Sequence, residues 1–256
     1  MKAGAKVGLA DRVAWPVARL ENLGRLSVCS LRGAANVRWI AFVACVGLVA
    51  GHAVSASGAI SSTFDTSMED WAVVGRTFPP EHRSTGGNPG GYIWAQDDTV
   101  NIGGDVWYWQ APATYHGNLA WSYGGTLSFD LWQSDTSSPH WEEFADVILV
   151  GEGLTLVYDT GYHPGTTWTS YTVLLDDSSG WFVGDLSQPT VYGLVATEAE
   201  IKQTLSNVSD LRIRGEYRWG EDNGGMDNVT LTPEPATLAL LTVGGLGVLL
   251  RRKKGT

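Results

Sequence analysis

The segment TLSFDLW, residues 126–132, indicates the fold class of this 256-residue chain. Within it, Leu127, Phe129 and Leu131 alternate with polar residues. A period of two places the apolar side chains on one face of a β-strand and the polar ones on the other. We therefore expect a strand with one buried face, as in an antiparallel sheet.

Similar strand patterns continue through the body of the chain. The segments ADVILVG and LTLVYD are separated by Gly151-Glu152-Gly153, which predicts a hairpin turn. The segments SYTVLL, DLRIRGEY and MDNVTL predict further strands, with Leu211 and Ile213 on one face and Val229 and Leu231 pointing inward. The glycine-rich run GGNPGG, residues 86–91, lacks the Lys-Ser/Thr of a phosphate-binding loop and is interpreted as a turn.

One helix is expected among these strands. Thr197 and Glu200 form a capping-box pattern ahead of Ile201 and Leu205, which predicts about two turns of helix over 198–206. Many short strands with a single short helix are typical of an all-β fold. The sequence therefore predicts an antiparallel β-sandwich, most simply a jelly roll.

Charge divides the chain into three segments. Residues 1–56 and 233–256 are basic, whereas residues 57–232 contain 24 Asp/Glu against six Lys/Arg. Such an acidic body would be repelled by phosphate backbones, so nucleic acid is not an expected partner. We predict an N-terminal extension with a signal peptide (1–56), a β-sandwich domain (57–232) and a C-terminal sorting segment (233–256).

The N-terminal segment has the features of a secretory signal. Arg38 precedes the apolar run Ile40–Ala50, and the small residues Val54-Ser55-Ala56 form a suitable cleavage site. A retained membrane anchor is the alternative, although the run is shorter than the roughly 20 residues that span a bilayer. The two cysteines, Cys29 and Cys45, lie in this segment, so the processed domain would contain none.

The C-terminal segment begins with Pro233-Glu234-Pro235, continues with the apolar run Ala236–Leu250 and ends with Arg251, Arg252, Lys253 and Lys254. This order resembles the PEP-CTERM sorting signal of Gram-negative bacteria. The resemblance implies an exosortase-type membrane peptidase as partner and transient anchoring in the inner membrane by a hydrophobic helix, with the basic residues on the cytoplasmic side. A permanent C-terminal anchor is the alternative.

The body resembles the laminin B domain, also called laminin domain IV. The resemblance runs in order from STFDTSMEDWAVVG to GEDNGGMDNVTL, from about Ser62 to Leu231. It implies a jelly roll of the galactose-binding-like type. In laminins the module is inserted in a cysteine-rich repeat, which this sequence lacks, so laminin network partners are not expected.

Tryptophan is the first candidate for ligand binding, because ten of the twelve Trp residues lie in the body. Indole faces suit the C–H faces of sugars, and their polar edges suit hydroxyl groups. Trp107 and Trp109 share one strand face, while Trp132 and Trp141 flank a polar loop. These four residues are candidate polysaccharide ligands, although packing in the core is the alternative for each. A Trp that forms a platform on which a sugar stacks must be partly exposed.

Calcium is the second candidate. Galactose-binding-like jelly rolls often carry a structural calcium near the first and last strands, so the resemblance implies Asp65, Glu69 and Asp227 as ligands. Calcium takes six to eight oxygen ligands, which such carboxylates supply. Surface carboxylates without a metal are the alternative.

Enzyme signatures are weak in this sequence. The histidines have no zinc-site spacing, and Ser122 in AWSYG precedes a predicted strand instead of the helix that a nucleophile elbow requires. We therefore expect a non-catalytic, exported cell-surface or extracellular protein associated with exopolysaccharide or biofilm matrix. A calcium-stabilised carbohydrate-binding module is the alternative, and a carbohydrate-acting enzyme is less favoured.

The processing of the tail can be tested in the native host. An epitope tag fused after Thr256 should be absent from the surface-located protein, because the sorting reaction would remove it with the basic residues. Intact-mass measurement of the surface form provides the check. A mass that still includes Arg251 to Thr256 would favour a permanent anchor.

Overall fold

The computed structural model describes residues 58–75, 77–97, 106–137 and 143–234. The predicted signal peptide, Pro235, the apolar tail and the basic residues lie outside the described residues. The described part forms short 3₁₀ turns, one helix, α1 (Glu198–Ser206), and thirteen strands. The strands are β1 (Ile60–Ser62), β2 (Ala72–Val74), β3 (Glu81–Gly87), β4 (Gly90–Gln96), β5 (Tyr108–Gln110), β6 (Thr126–Gln133), β7 (Val147–Gly151), β8 (Leu154–Tyr158), β9 (Thr169–Leu174), β10 (Phe182–Val183), β11 (Leu194–Val195), β12 (Val208–Arg214) and β13 (Asn223–Leu231).

The strands pair into two sheets. Sheet A has the order β3-β4-β13-β6-β9, and β1 also pairs with β13. Sheet B has the order β11-β10-β8-β7-β12-β5-β2. Neighbouring strands in the described part pair antiparallel, and side chains from the two sheets share one hydrophobic core. The predicted antiparallel β-sandwich of jelly-roll type is confirmed.

The alternation in TLSFDLW places β6 as expected. Leu127, Phe129 and Leu131 are buried in the shared core. Val229 and Leu231 of β13 are buried there as well. The hairpin between β7 and β8 also follows the prediction, with positive φ at its two central residues, Glu152 and Gly153.

Helix α1 begins with the predicted capping box. The Glu200 N–H donates to the Thr197 hydroxyl, and the Thr197 N–H donates to the Glu200 carboxylate at 2.8 Å. These two bonds satisfy backbone donors that have no partner within the helix. The helix buries Ile201, Thr204 and Leu205 against the core.

Trp107 and Trp109 fill the centre of the sandwich. Both side chains are 0% exposed, and their rings meet edge to face with centroids 5.0 Å apart. Two glycines make room for the first of these rings. An added Cβ would lie 1.9 Å from the Trp107 ring at Gly215 and 3.2 Å from it at Gly224.

This packing predicts that Gly215→Ala destabilises the fold. The new methyl group would overlap the buried Trp107 ring, so the free energy of unfolding should fall by about 3 kcal/mol. Gly165→Ala is the matched control, because the nearest heavy atom to its Cβ position is 4.0 Å away. Denaturant titration compares the two variants, and equal stability would contradict the packing around Trp107.

Candidate functional site

Four aromatic side chains lie on the outer face of sheet A, which is turned away from the core. Along β4, Tyr92 and Trp94 alternate with buried residues and point outward. Trp132 of β6 points to the same side, and Trp168, just before β9, packs against it. All four side chains are partly exposed. We call these four residues the aromatic strip.

The strand register determines how the strip is arranged. Gly225 of β13 lies opposite Trp94 on one side and opposite Trp132 on the other. An added Cβ at Gly225 would lie 2.1 Å from Trp132 Nε1. The indole of Trp132 therefore lies across β13, in space that any larger residue would fill.

The rings of the strip hold one another in place. Tyr92 meets Trp168 edge to face with centroids 5.4 Å apart, and it meets Trp132 in the same way at 6.3 Å. Trp132 and Trp168 are also edge to face, at 6.2 Å. The Trp168 Nε1–H donates to the carbonyl oxygen of Gly86 at 2.9 Å. These contacts restrict the rings before any ligand arrives, which lowers the entropy cost of binding.

Charged groups lie at the β3 end of the strip. The guanidinium of Arg83 lies over the Trp94 ring, 4.6 Å from its centroid, and pairs with the exposed Glu81 carboxylate at 2.8 Å. Arginine supplies hydrogen-bond donors and glutamate supplies acceptors. The strip therefore combines apolar ring faces with polar groups of both kinds.

A network of two acids and two amides fixes the turn between β3 and β4 onto sheet A. The Asn88 N–H donates to Asp227 Oδ2 at 2.6 Å, and its amide Nδ2 donates to Asp130 at 3.1 Å. The Asn228 amide also donates to Asp130, at 2.8 Å. Burial raises the pKa of Asp227 to about 6, while the Asn88 and Asn228 N–H groups oppose the rise.

This acid pair is poorly placed for catalysis. Asp227 is 0% exposed and Asp130 is 7% exposed. A glycosidase needs two carboxyl groups that reach the scissile bond. Because Asp130 and Asp227 are covered and bonded to the turn, their role in this arrangement is to hold the turn in place.

The structure corrects two of the four predicted tryptophans. Trp107 and Trp109 are completely buried between the sheets, so they cannot stack on a ligand. Trp132 is partly exposed, as a platform residue must be, and its role in binding stays a prediction. Trp141 lies outside the described residues.

The sequence reasoning missed Tyr92, Trp94 and Trp168. The period of two in GGYIWAQ already places Tyr92 and Trp94 on one strand face, so that signal was available. Trp168 precedes its strand, and only the pairing of β6 with β9 brings it beside Trp132. No local pattern reveals that contact.

The predicted calcium ligands are not brought together as one set. Glu69 uses Oε1 to accept the N–H groups of Thr63 and Phe64, at 3.1 and 2.8 Å. Asp65 and Asp227 both lie near the β3–β4 turn, but Asp227 is occupied by N–H donors. Within the described ranges, no group of three or more His, Cys, Asp or Glu side chains could hold a metal ion. In this arrangement the three residues do not form one ligand set, and calcium binding by them stays a prediction.

Ser122 lies in a 3₁₀ turn and not at a nucleophile elbow. It is 0% exposed, and its hydroxyl donates to the Leu119 carbonyl oxygen at 2.7 Å. A buried hydroxyl in this environment cannot reach a substrate. This agrees with the interpretation of Ser122 as a turn residue.

Three buried acids lie together at the opposite end of β4 from the turn at Asn88. Asp97, Glu216 and Asp222 are 8%, 7% and 2% exposed, and Asp222 Oδ1 has no hydrogen-bond partner. Burial, followed by the charge of Asp97, raises the pKa of Asp222 to about 7. Burial, followed by Asp97 and Asp222, raises the pKa of Glu216 to about 8.

The sorting motif is only partly described. Pro233 and Glu234 follow β13 directly, and Pro235 and the basic residues lie outside the described residues. In the part of the chain that the structure describes, we find no helix with the length and apolar character needed to span a membrane.

Two family models match the chain. Residues 108–234 match the Laminin B (Domain IV) model, and residues 231–254 match the PEP-CTERM protein-sorting motif. Both predicted resemblances are confirmed. The chain is therefore an exported cell-surface protein that carries a laminin B region followed by a PEP-CTERM sorting motif.

Individual relatives agree with the first of these matches. The laminin subunit gamma-2 of Homo sapiens is 33% identical over 184 residues, which cover 67% of this chain and 13% of the subunit. The horse (Equus caballus) subunit is 32% identical over 183 residues, which again cover 67% of this chain and 13% of the subunit. The chain thus spans only about an eighth of the length of the curated relatives it matches.

The solved structures to which the chain is similar include a laminin domain and a carbohydrate-binding module. The L4b domain of human laminin alpha-2 has a TM-score of 0.41 and 15% identity, covering 55% of this chain and 79% of that chain. A family 11 carbohydrate-binding module from Clostridium thermocellum, in complex with a β-1,3-1,4-mixed-linked tetrasaccharide, has a TM-score of 0.45 and 16% identity. It covers 70% of this chain and 98% of the module.

The buried acids predict a pH-dependent stability. The pKa values of Asp222 and Glu216 are raised in the folded state, so the folded protein holds protons that the unfolded chain releases. The free energy of unfolding should therefore fall as the pH rises from about 5 to about 8. Asp222→Asn should flatten this dependence, and thermal melts across the range provide the measurement.

Asp70→Asn is the control, since it is the same Asp-to-Asn change at an exposed position. It should leave the slope of stability against pH unchanged. If the two variants have the same slope as the parent protein, the buried acids do not determine the pH dependence.

Proposed function

We propose that this protein is a non-catalytic cell-surface module that holds extracellular polysaccharide on the aromatic strip of sheet A. The observation that carries the proposal is the row of partly exposed rings formed by Tyr92, Trp94, Trp132 and Trp168. Ring faces of this kind match the C–H faces of pyranose units, and the polar groups at the β3 end suit their hydroxyls.

The charge of the body favours neutral glycans over strongly anionic ones. Residues 57–232 carry 24 acidic and six basic side chains, which disfavours approach by phosphate- or sulfate-rich chains. Among the groups described at the strip, Arg83 is already paired with Glu81. A neutral sugar chain can bind such a surface without a charge penalty.

The sorting motif supports a location where matrix polysaccharide occurs. In this proposal, a Gram-negative bacterium exports the chain through its inner membrane, and the C-terminal apolar segment anchors it there transiently. An exosortase-type peptidase then processes the motif, and the domain reaches the cell surface or the biofilm matrix. The basic residues at the end of the chain stop transfer on the cytoplasmic side.

The strip can be tested by affinity electrophoresis in gels that contain extracellular polysaccharide from the producing bacterium. Trp132→Ala and Trp94→Ala should each weaken retention about tenfold, equivalent to about 1.4 kcal/mol, because each removes a ring face from the strip. Their melting temperatures should fall less than that of a variant of a completely buried Trp, since both side chains are partly exposed.

Two control variants separate binding from folding. Trp132→Phe keeps an aromatic face and should retain most of the binding. Trp107→Ala removes a completely buried ring and should lose about 3–5 kcal/mol of unfolding free energy. If the folded Trp94 and Trp132 variants are retained like the parent protein, the strip is not the binding surface and a purely structural surface role is favoured.

A further inference from the structure

A groove of about 660 Å³ is lined by residues that do not belong to the aromatic strip. The loops that follow β8, β10 and β12 form it, and the first of these loops ends at Trp168 of the strip. Its walls include Tyr162 and Tyr192, which are 50% and 74% exposed. Asp159, His163 and Arg218 also line it. Neither the sorting motif nor the strip accounts for this groove.

Tyr162 forms the outer ring of a stack that begins in the core. Its ring lies parallel to that of Tyr171, with centroids 4.7 Å apart and an interplanar angle of 12°. Tyr171 in turn stacks on Phe129 at 5.2 Å and 18°, and both inner residues are 1% exposed. One face of Tyr162 is thus covered by the stack, while half of the residue remains exposed.

Further bonds fix the position of this ring. The Tyr162 hydroxyl donates to the Ser170 carbonyl oxygen at 3.0 Å. The Thr160 N–H and hydroxyl both donate to the buried Asp146 carboxylate, at 2.9 and 2.5 Å, and the hydroxyl oxygen also lies 3.0 Å from the Tyr162 carbonyl oxygen. Asp146 lies 3.6 Å from Arg214, so the loop is tied to a buried ion pair. A ring held this firmly loses little entropy on binding a ligand.

The polar residues of the groove include donors and acceptors. Asp159 supplies carboxylate oxygens, one of which accepts the Gly161 N–H at 2.7 Å, and the Arg218 guanidinium lines the groove while its Nε–H donates to Gln133 Oε1 at 3.3 Å. The His163 ring packs against Tyr217 with centroids 5.2 Å apart. Asp159 and Arg218 carry opposite charges, so the groove does not favour an ion of either sign. Vicinal hydroxyls of a neutral sugar can both donate to a carboxylate and accept from a guanidinium.

From this arrangement we infer that the groove is a second binding site, which takes a neutral pyranose unit stacked on Tyr162. The inference goes beyond the strip, because it rests on separate residues and makes the domain bivalent. Two sites on one domain can engage two segments of polysaccharide. Binding of the second segment is then intramolecular, so the parent protein should be retained more strongly than either single-site variant.

The test is affinity electrophoresis of the exported protein in the polysaccharide-containing gel used for the strip. Tyr162→Ala should weaken retention about tenfold while Trp132 is intact. Tyr162→Phe keeps the stacking face and should be retained like the parent protein. Leu194→Ala, which removes an 82% exposed apolar side chain of β11 outside the groove lining, is the control and should have no effect.

The outcomes separate this inference from the proposed role of the strip. If Tyr162→Ala is folded and retained like the parent protein, the groove is not a sugar site. If it loses retention while Trp94→Ala and Trp132→Ala do not, the groove binds and the strip does not. Tyr192→Ala serves as a second variant if Tyr162→Ala melts early, and unchanged retention of that variant overturns the inference. Altered sedimentation with unchanged retention would identify a protein contact and would also overturn it.

Discussion

Two consecutive glycines in β13 allow an indole ring to pack on each face of sheet A. Gly224 faces the core, where an added Cβ would lie 3.2 Å from the Trp107 ring, and Gly225 faces outward, where it would lie 2.1 Å from Trp132. Because β13 pairs with β1, β4 and β6, it is also the strand that joins most of sheet A. The packing of the core and the shape of the outer face therefore depend on the same two residues.

The turn between β3 and β4 depends on β13 in a different way. Asp227 and Asn228 of β13 bond to Asn88, so the turn is held against the sheet beside the aromatic strip. Gly87 lies so close to Asp227 that an added Cβ would be 2.6 Å from its carboxylate. The two carboxylates of this network, Asp130 and Asp227, hold the turn in place. Without these bonds, two carboxylates on one face of a sheet would suggest a catalytic pair. Their burial explains why we propose binding and not hydrolysis.

The sequence predicted those features that depend on local periodicity. The alternation in TLSFDLW and the capping box of Thr197 and Glu200 were sufficient for β6 and α1. The burial of Trp107 and Trp109 could not be predicted in this way, because it depends on glycines more than 100 residues away in the chain. Local periodicity could place only half of the aromatic strip. Tyr92 and Trp94 share a strand face, whereas Trp168 reaches Trp132 through the pairing of β9 with β6.

The most direct test of this account compares polysaccharide retention and thermal melting for Gly225→Ala and Gly224→Ala. The first substitution must displace Trp132 on the outer face, so we expect weaker retention with a modest change in melting temperature. The second presses on Trp107 in the core, so we expect reduced stability, with retention preserved in the folded protein. A Gly225→Ala variant that is folded and retained like the parent protein would contradict the claim that Trp132 and its neighbours form the binding surface.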